Sequence, residues 1–159
     1  MKKVLVCLIA LTVFGCASAD MTEKSDVVNV PGMSKQQIFE KARQWITYKF
    51  VSGRAVIDYK DLTTGRIIAK GYVFLDSFMG SVMNAYLIAT IDCVNGKAKL
   101  TLQPSGCQIV APRGGMDCPC SGSYLSPGAL EQIPIKIDDF RKDFSTYMSG
   151  GKAPAWDGR

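Results

Sequence analysis

The side chains best suited to chemistry are the cysteines Cys93, Cys107, Cys118 and Cys120, and their spacing decides which chemistry is open to them. A thiolate can attack an electrophile, exchange disulfides or bind a soft metal. Cys118-Pro119-Cys120 is a C-x-C pair with a stiff residue between, whereas thiol–disulfide exchange ordinarily uses C-x-x-C at a helix start. Zinc knuckles need paired C-x-x-C spacings, which are missing. The chain has 0 histidines, which excludes His-based triads and His-ligated zinc within it. Structural disulfides are therefore the leading reading, and the four thiols allow three full pairings. Cys118 and Cys120 are too close to bridge each other easily. One of them is expected to pair with Cys107, closing a loop of about a dozen residues worth roughly 2–4 kcal/mol. Cys93 reads either as a plain core thiol or as a bridge into that loop. Asp58, Asp61 and Asp76 make no recognisable acid–base pair and read as surface and turn residues. No catalytic residue, metal site or cofactor is expected.

The first residues set where such thiols would live. Lys2 and Lys3 precede an apolar run from Val4 to Phe14, too short for a stable membrane-spanning helix. The run ends in Val13-Phe14-Gly15-Cys16, which resembles the lipobox of bacterial lipoproteins, although Phe14 stands where a small residue is more usual. The resemblance implies diacylglyceryl attachment to Cys16, cleavage before it and acylation of the new amino end by a palmitate-type chain. Residues 1–15 are then a signal peptide and 16–26 a lipid-anchored tether. Ala17 after the cysteine, rather than Asp, implies the outer membrane, with the periplasmic side favoured over the cell surface. The competing reading is cleavage after Ala17-Ser18-Ala19, giving a soluble secreted or periplasmic chain. Outside the cytoplasm disulfides are the expected state.

At 159 residues the chain suits one domain with a core of its own. Its formal charge is +5, and loss of Lys2 and Lys3 leaves +3. That excess is too mild to argue for a nucleic-acid partner.

Residues 29–50 are the stretch the rest is organised around. Pro31-Gly32 breaks the chain, Ser34 takes the N-cap position and Gln37 completes a capping box. Met33 and Ile38 can form a hydrophobic staple. Ile38, Phe39, Ala42, Trp45, Ile46 and Phe50 then make one broad apolar helical face. Trp45 in that stripe reads as core rather than as a ligand platform.

The remaining elements are strands. Residues 27–30, 54–60 and 66–76 read as the first three, with turn chemistry from Asp61 to Gly65 and a loop at 78–81. Residues 83–93 and 97–103 flank Asn95-Gly96, the preferred pair for a two-residue hairpin turn. This fixes the register: Val94 with Lys97, Cys93 with Ala98, Asp92 with Lys99, Ile91 with Leu100, Thr90 with Thr101, Ala89 with Leu102. One face of the hairpin is apolar and offers itself to the helix. The other carries Tyr86 and Ile88, joined by Tyr72 and Phe74 of the neighbouring strand, as a candidate binding face. The alternative is scattered surface aromatics, or a face covered by the later loop.

Residues 104–132, rich in Pro, Gly, Ser and Cys, read as one long loop. After Pro134, Ile137, Phe140, Phe144, Tyr147 and Met148 mark a closing helix, with Asp138 and Asp139 suited to its start. Gly150-Gly151 ends it, and 151–159 is a tail.

The segments V-V-N-V-P-G-M-S-K-Q-Q-I-F-E-K-A-R-Q-W-I, T-T-G-R-I-I-A-K-G and N-G-K-A-K-L-T-L, in that order, resemble a bacterial family. It is a domain of unknown function with a TATA-box-binding-protein-like fold, found in envelope lipoproteins. The resemblance covers about residues 27–103 and implies an α+β two-layer sandwich. The expected order is β-α-β-β-β-β-α, an antiparallel sheet of about five strands with two helices on one face, over residues 27–150. It brings no activity and no site residues, and the fold name does not carry DNA binding with it.

The function expected is a non-enzymatic binding or scaffolding module of the envelope. Its partners would be the membrane, through lipid on Cys16, and a protein or small molecule, with no nucleic acid. The rivals are a thiol-dependent enzyme using Cys118 or Cys120, and an inhibitor of an exported enzyme with the cysteine loop as its wedge.

Overall fold

A computed structural model describes residues 22–50, 56–118 and 125–151 of the chain. The leader, Cys16, residues 54 and 55 of the expected second strand, Cys120 and the tail at 152–159 lie outside the described residues.

The sheet is built on a pair of long strands, β4 (Ser81–Val94) and β5 (Lys97–Ala111), joined by Asn95-Gly96. Every cross-strand pair expected from that turn is present, from Val94 opposite Lys97 to Ala89 opposite Leu102. Turn chemistry and alternation specify one register between them, because a slip of one residue would send Ile91 and Leu100 to the wrong face. On the other side of β4 lies β3 (Arg66–Phe78), and β2 (Val56–Asp61) forms the edge beyond it. Against the first half of β5 runs β1 (Lys24–Asn29), and against its second half β6 (Gly114–Cys118). The result is one antiparallel sheet of six strands.

The core lies on one side of it. Ile67, Ala69, Val73 and Leu75 of β3, Met83 to Cys93 at every second residue of β4, and Ala98, Leu100 and Leu102 of β5 are buried there. Helix α1 (Lys35–Lys49) and helix α2 (Pro127–Met148) cover that face. The α1 cap is as expected: the Gln37 amide donates to Ser34 Oγ at 3.3 Å, and the Ser34 amide donates to Gln37 Oε1 at 2.9 Å. Met33 packs against the core, and all six residues of the apolar stripe are buried. Trp45 joins the helices: its ring meets Phe50, Phe140 and Phe144 edge-on, and its indole N–H donates to Asp143 at 2.9 Å. Lys49 neutralises the same carboxylate at 3.3 Å, so the buried indole donor ends on a charge-paired acceptor.

Three boundaries differ from expectation. The stretch 78–81 is a tight turn, with Met79 and Gly80 at positive φ, so both flanking strands run longer. The Pro/Gly/Cys stretch is no single loop. β5 continues through it to Ala111, and β6 adds a sixth strand to the roughly five expected. A bulge between Tyr86 and Leu87, opposite Ser105, lets β5 carry Pro104 and Gly106 while keeping Cys107 on the core side. Finally, α2 begins at Pro127, capped by Ser126, and passes through Pro134. Asp138 and Asp139 therefore sit mid-helix. An interior proline removes one helical hydrogen bond and costs about 3 kcal/mol. Burial of Ala129, Leu130 and Ile133 on the extra two turns outweighs that at roughly 0.8 kcal/mol per buried methylene.

Candidate functional site

The face opposite the helices is an uncovered sheet surface among the described residues. Its side chains come from alternate positions of the six strands. Tyr72 and Tyr86 are directly opposite each other in the β3–β4 ladder, with ring centroids 4.7 Å apart and planes at 40°. Phe74 follows Tyr72 along β3 and is 49% exposed. Ile88 follows Tyr86 along β4, opposite Lys70, and is half-buried. All four expected face residues thus share one strip. The structure adds Tyr59 of β2 and Ile68 of β3, cross-strand partners at the strip's end.

The sixth strand brings a polar group that sequence reasoning missed. Asp117 of β6 accepts from the Tyr86 hydroxyl at 2.6 Å and from Gln108 Nε2 at 3.3 Å. That bond, together with partial burial and the neighbouring Tyr72, pushes the Tyr86 phenol well above the usual tyrosine range. Tyr86 is therefore a neutral, locked donor near pH 7 and not a base. The signal for β6 was Gly114-Gly115 after Pro112-Arg113, a turn between two short alternating segments.

Charges frame the strip rather than occupy it. Arg66 donates to Asp92 at 2.6 Å, and Lys70 meets Asp58 at 2.7 Å. Asp61 holds its own turn by accepting from the Thr63 amide, and Asp76 accepts from the Ser77 amide. The three carboxylates weighed from sequence are thus dispersed.

Of the cysteines, Cys107 is in a disulfide, as expected, while Cys93 and Cys118 are free thiols. Cys93 is a fully buried free thiol, so its reading as a disulfide candidate is corrected; it points inward between Ile91 and Ala98 as the hairpin register requires. Burial, with the Asp92 charge adding to it, pushes its pKa to about 12. Cys107 is disulfide-bonded. Cys118 is opposite Cys107 in the β5–β6 ladder, yet it is a free buried thiol, which corrects its candidacy too. Burial first, and then Asp117, raises its pKa. Among the described residues, no group of three or more His, Cys, Asp or Glu is placed to hold a metal ion. No described helix is long and apolar enough to cross a membrane.

The sequence model of a domain of unknown function, DUF4468, with TBP-like fold, matches residues 25–104. The chain belongs to this family. Its match covers β1 through the first half of β5, the part that carries α1, the hairpin turn and the whole aromatic strip. Two solved structures share the fold. A DUF4468 family protein from Bacteroides ovatus is 16% identical with a TM-score of 0.59, over 90% of this chain and 95% of that one. A TBP-like protein from Parabacteroides distasonis is 11% identical with a TM-score of 0.61, over 82% and 94%. No curated protein matches the chain.

Proposed function

We propose that this DUF4468 chain is a lipid-anchored envelope protein whose open sheet face is a non-enzymatic binding surface. The observation that carries the reading is the strip Tyr72, Phe74, Tyr86 and Ile88, placed on the one broad face that the described helices leave uncovered. Tilted aromatic rings, beside a phenol oxygen whose proton is already given to Asp117, suit a partner that offers flat apolar surface and a hydrogen-bond donor. The lipobox-like Cys16 supports attachment to the outer membrane on its periplasmic side. The face carries Asp58, Asp92 and Asp117 beside its cations, a poor match to a phosphate backbone, and this supports a protein or small molecule over nucleic acid. Against a thiol-dependent reaction at Cys118 stand its burial and its raised pKa, both opposite to what a reactive cysteine needs.

The test has two arms. Intact mass of the Cys16 peptide should show the acyl chains; an unmodified thiol removes the anchor. A photo-crosslinking residue at Phe74 should capture a defined partner that is lost in Tyr72→Ala/Tyr86→Ala and absent from the same probe at Lys142 on α2. Equal capture at both positions would remove the sheet face as the binding surface.

A further inference from the structure

Two turns stand side by side at one end of the sheet: Met79-Gly80 between β3 and β4, and Pro112-Arg113 between β5 and β6. A Cβ on Gly80 would lie 3.6 Å from Pro112 Cγ. This end is greasy where a turn is ordinarily polar. Met79 is 86% exposed and Phe78 60%, with Val110 and Met116 exposed beside them. Met79 also holds φ at 48°, a left-handed conformation that Gly, Asn or Asp adopt far more readily. The opposite end is quite different. There the Lys35 amide donates to Asn95 Oδ1, Lys35 Nζ to the Thr63 carbonyl and the Cys93 amide to the Gly65 carbonyl, so the turns are tied down by polar bonds.

We infer that the Phe78-Met79 turn, with Pro112-Arg113 beside it, is a membrane-contacting tip that seats the domain on the phospholipid bilayer carrying its anchor. The inference rests on the lipid-anchor reading of Cys16. Chain length argues for the bilayer as occupant. Lys24, the first residue of β1, is opposite Leu102, which is opposite Ala89. The strand runs from there away from the tip, so the preceding chain enters from the tip side. Eight residue-to-residue steps lead from Cys16 to Lys24, a reach of at most about 26–29 Å. Eight steps along β4 also lead from Ala89 to Ser81 at the tip, a height of about 26 Å. A fully extended tether therefore only just holds the tip at the surface, and any slack brings the tip into it. Phe78 and Met79 would insert about 5–10 Å to the headgroup–acyl boundary, with Arg113 left to meet lipid phosphates.

The experiment uses the full chain carrying its own anchor, reconstituted in vesicles of phosphatidylethanolamine and phosphatidylglycerol with acyl chains brominated in half of the preparations. Trp emission in excess of the unsubstituted chain is read for Phe78→Trp, for Met79→Trp, and for Tyr59→Trp on the sheet face. Emission from either tip variant should be blue-shifted and quenched several-fold more strongly than that from Tyr59→Trp. Quenching no stronger at both tip positions than at Tyr59, in a chain whose Cys16 is shown by mass to be acylated, overturns the tip and leaves the anchor standing. A protein partner covering the tip gives that same result. A chain without acyl groups that fails to sediment with vesicles overturns the anchor, and the tip with it.

Discussion

Gly71 is the point at which the end of α1 rests on the sheet, and its substitution by alanine tests how closely that contact is set. The residue faces the core from the middle of β3, opposite Leu87. A Cβ there would overlap Phe50 Cδ1 and stand 2.8 Å from Cε1 and 2.9 Å from Cγ. Carbon atoms pack at about 3.5–4.0 Å, so the ring must retreat by about 1.5–2 Å at its nearest atom. It has little room to do so, with Trp45 at 6.3 Å and Phe140 at 5.4 Å between ring centroids. Overpacking of this kind costs about 1–3 kcal/mol, offset by about 0.4–1 kcal/mol from the stiffer unfolded chain. The expected net loss is about 1–2 kcal/mol for Gly71→Ala. Urea unfolding followed by the far-ultraviolet signal should show it as a midpoint lower by about 1 M, at an unchanged slope of about 1–3 kcal/mol/M. Phe50→Leu alone should also destabilise, by leaving a void. Combined, the two changes should cost less than their sum by at least about 0.5 kcal/mol, because the new methyl occupies space the ring gave up. A Gly71→Ala midpoint equal to that of the parent, or strict additivity in the double variant, would refute the geometry.

Other outcomes follow from individual contacts. Tyr86→Phe removes the bond to Asp117 and should cost about 0.5–1.5 kcal/mol near neutral pH. Because the folded-state pKa of Tyr86 lies above its unfolded value near 10, this stabilisation is fully present below pH 10 and lost as pH rises toward the folded value. Alkaline unfolding curves of the parent and Tyr86→Phe should therefore converge above pH 10; parallel curves would be inconsistent with the shift. Cys93 should resist alkylation at pH 8 in the folded chain and react once urea unfolds it, as read by peptide mass, and prompt labelling would contradict its burial. Ser34→Ala should destabilise by about 1 kcal/mol through loss of the capping box, measured by thermal unfolding.

The parts legible in sequence were those where two local rules agree. At Asn95-Gly96, turn type and alternation both specify the same pairs, and all of them form. At Ser34, a cap and an apolar stripe mark one helix start. Where local rules conflict with packing, packing decides. Pro134 reads as a boundary, but the buried Ala129, Leu130 and Ile133 carry the helix back to Pro127. Pro104 and Gly106 read as loop residues, but a bulge accommodates them within β5. Tyr72, Phe74, Tyr86 and Ile88 were legible as a shared face because period-two alternation needs no tertiary information. Asp117 was not, because its place depends on β6 pairing with β5 after an eccentric stretch of Pro, Gly and Cys. Cys118 shows the same limit: its spacing suits a bridge, and only the ladder reveals it as a free thiol beside Cys107.

The rim of the sheet has a consequence for self-association. β5 is flanked by two short strands that cover different halves of it, and no described strand covers the backbone at 103–106, where Pro104 lacks an amide to offer. At the far rim, β2 has six residues, a bulge between Ile57 and Tyr59, and Asp58 tied to Lys70. Neither border presents a long flat row of free amides and carbonyls. Such interruptions work against neighbouring copies zipping together into fibrils, so the aromatic strip can stay uncovered without the sheet rim making the chain a template for itself.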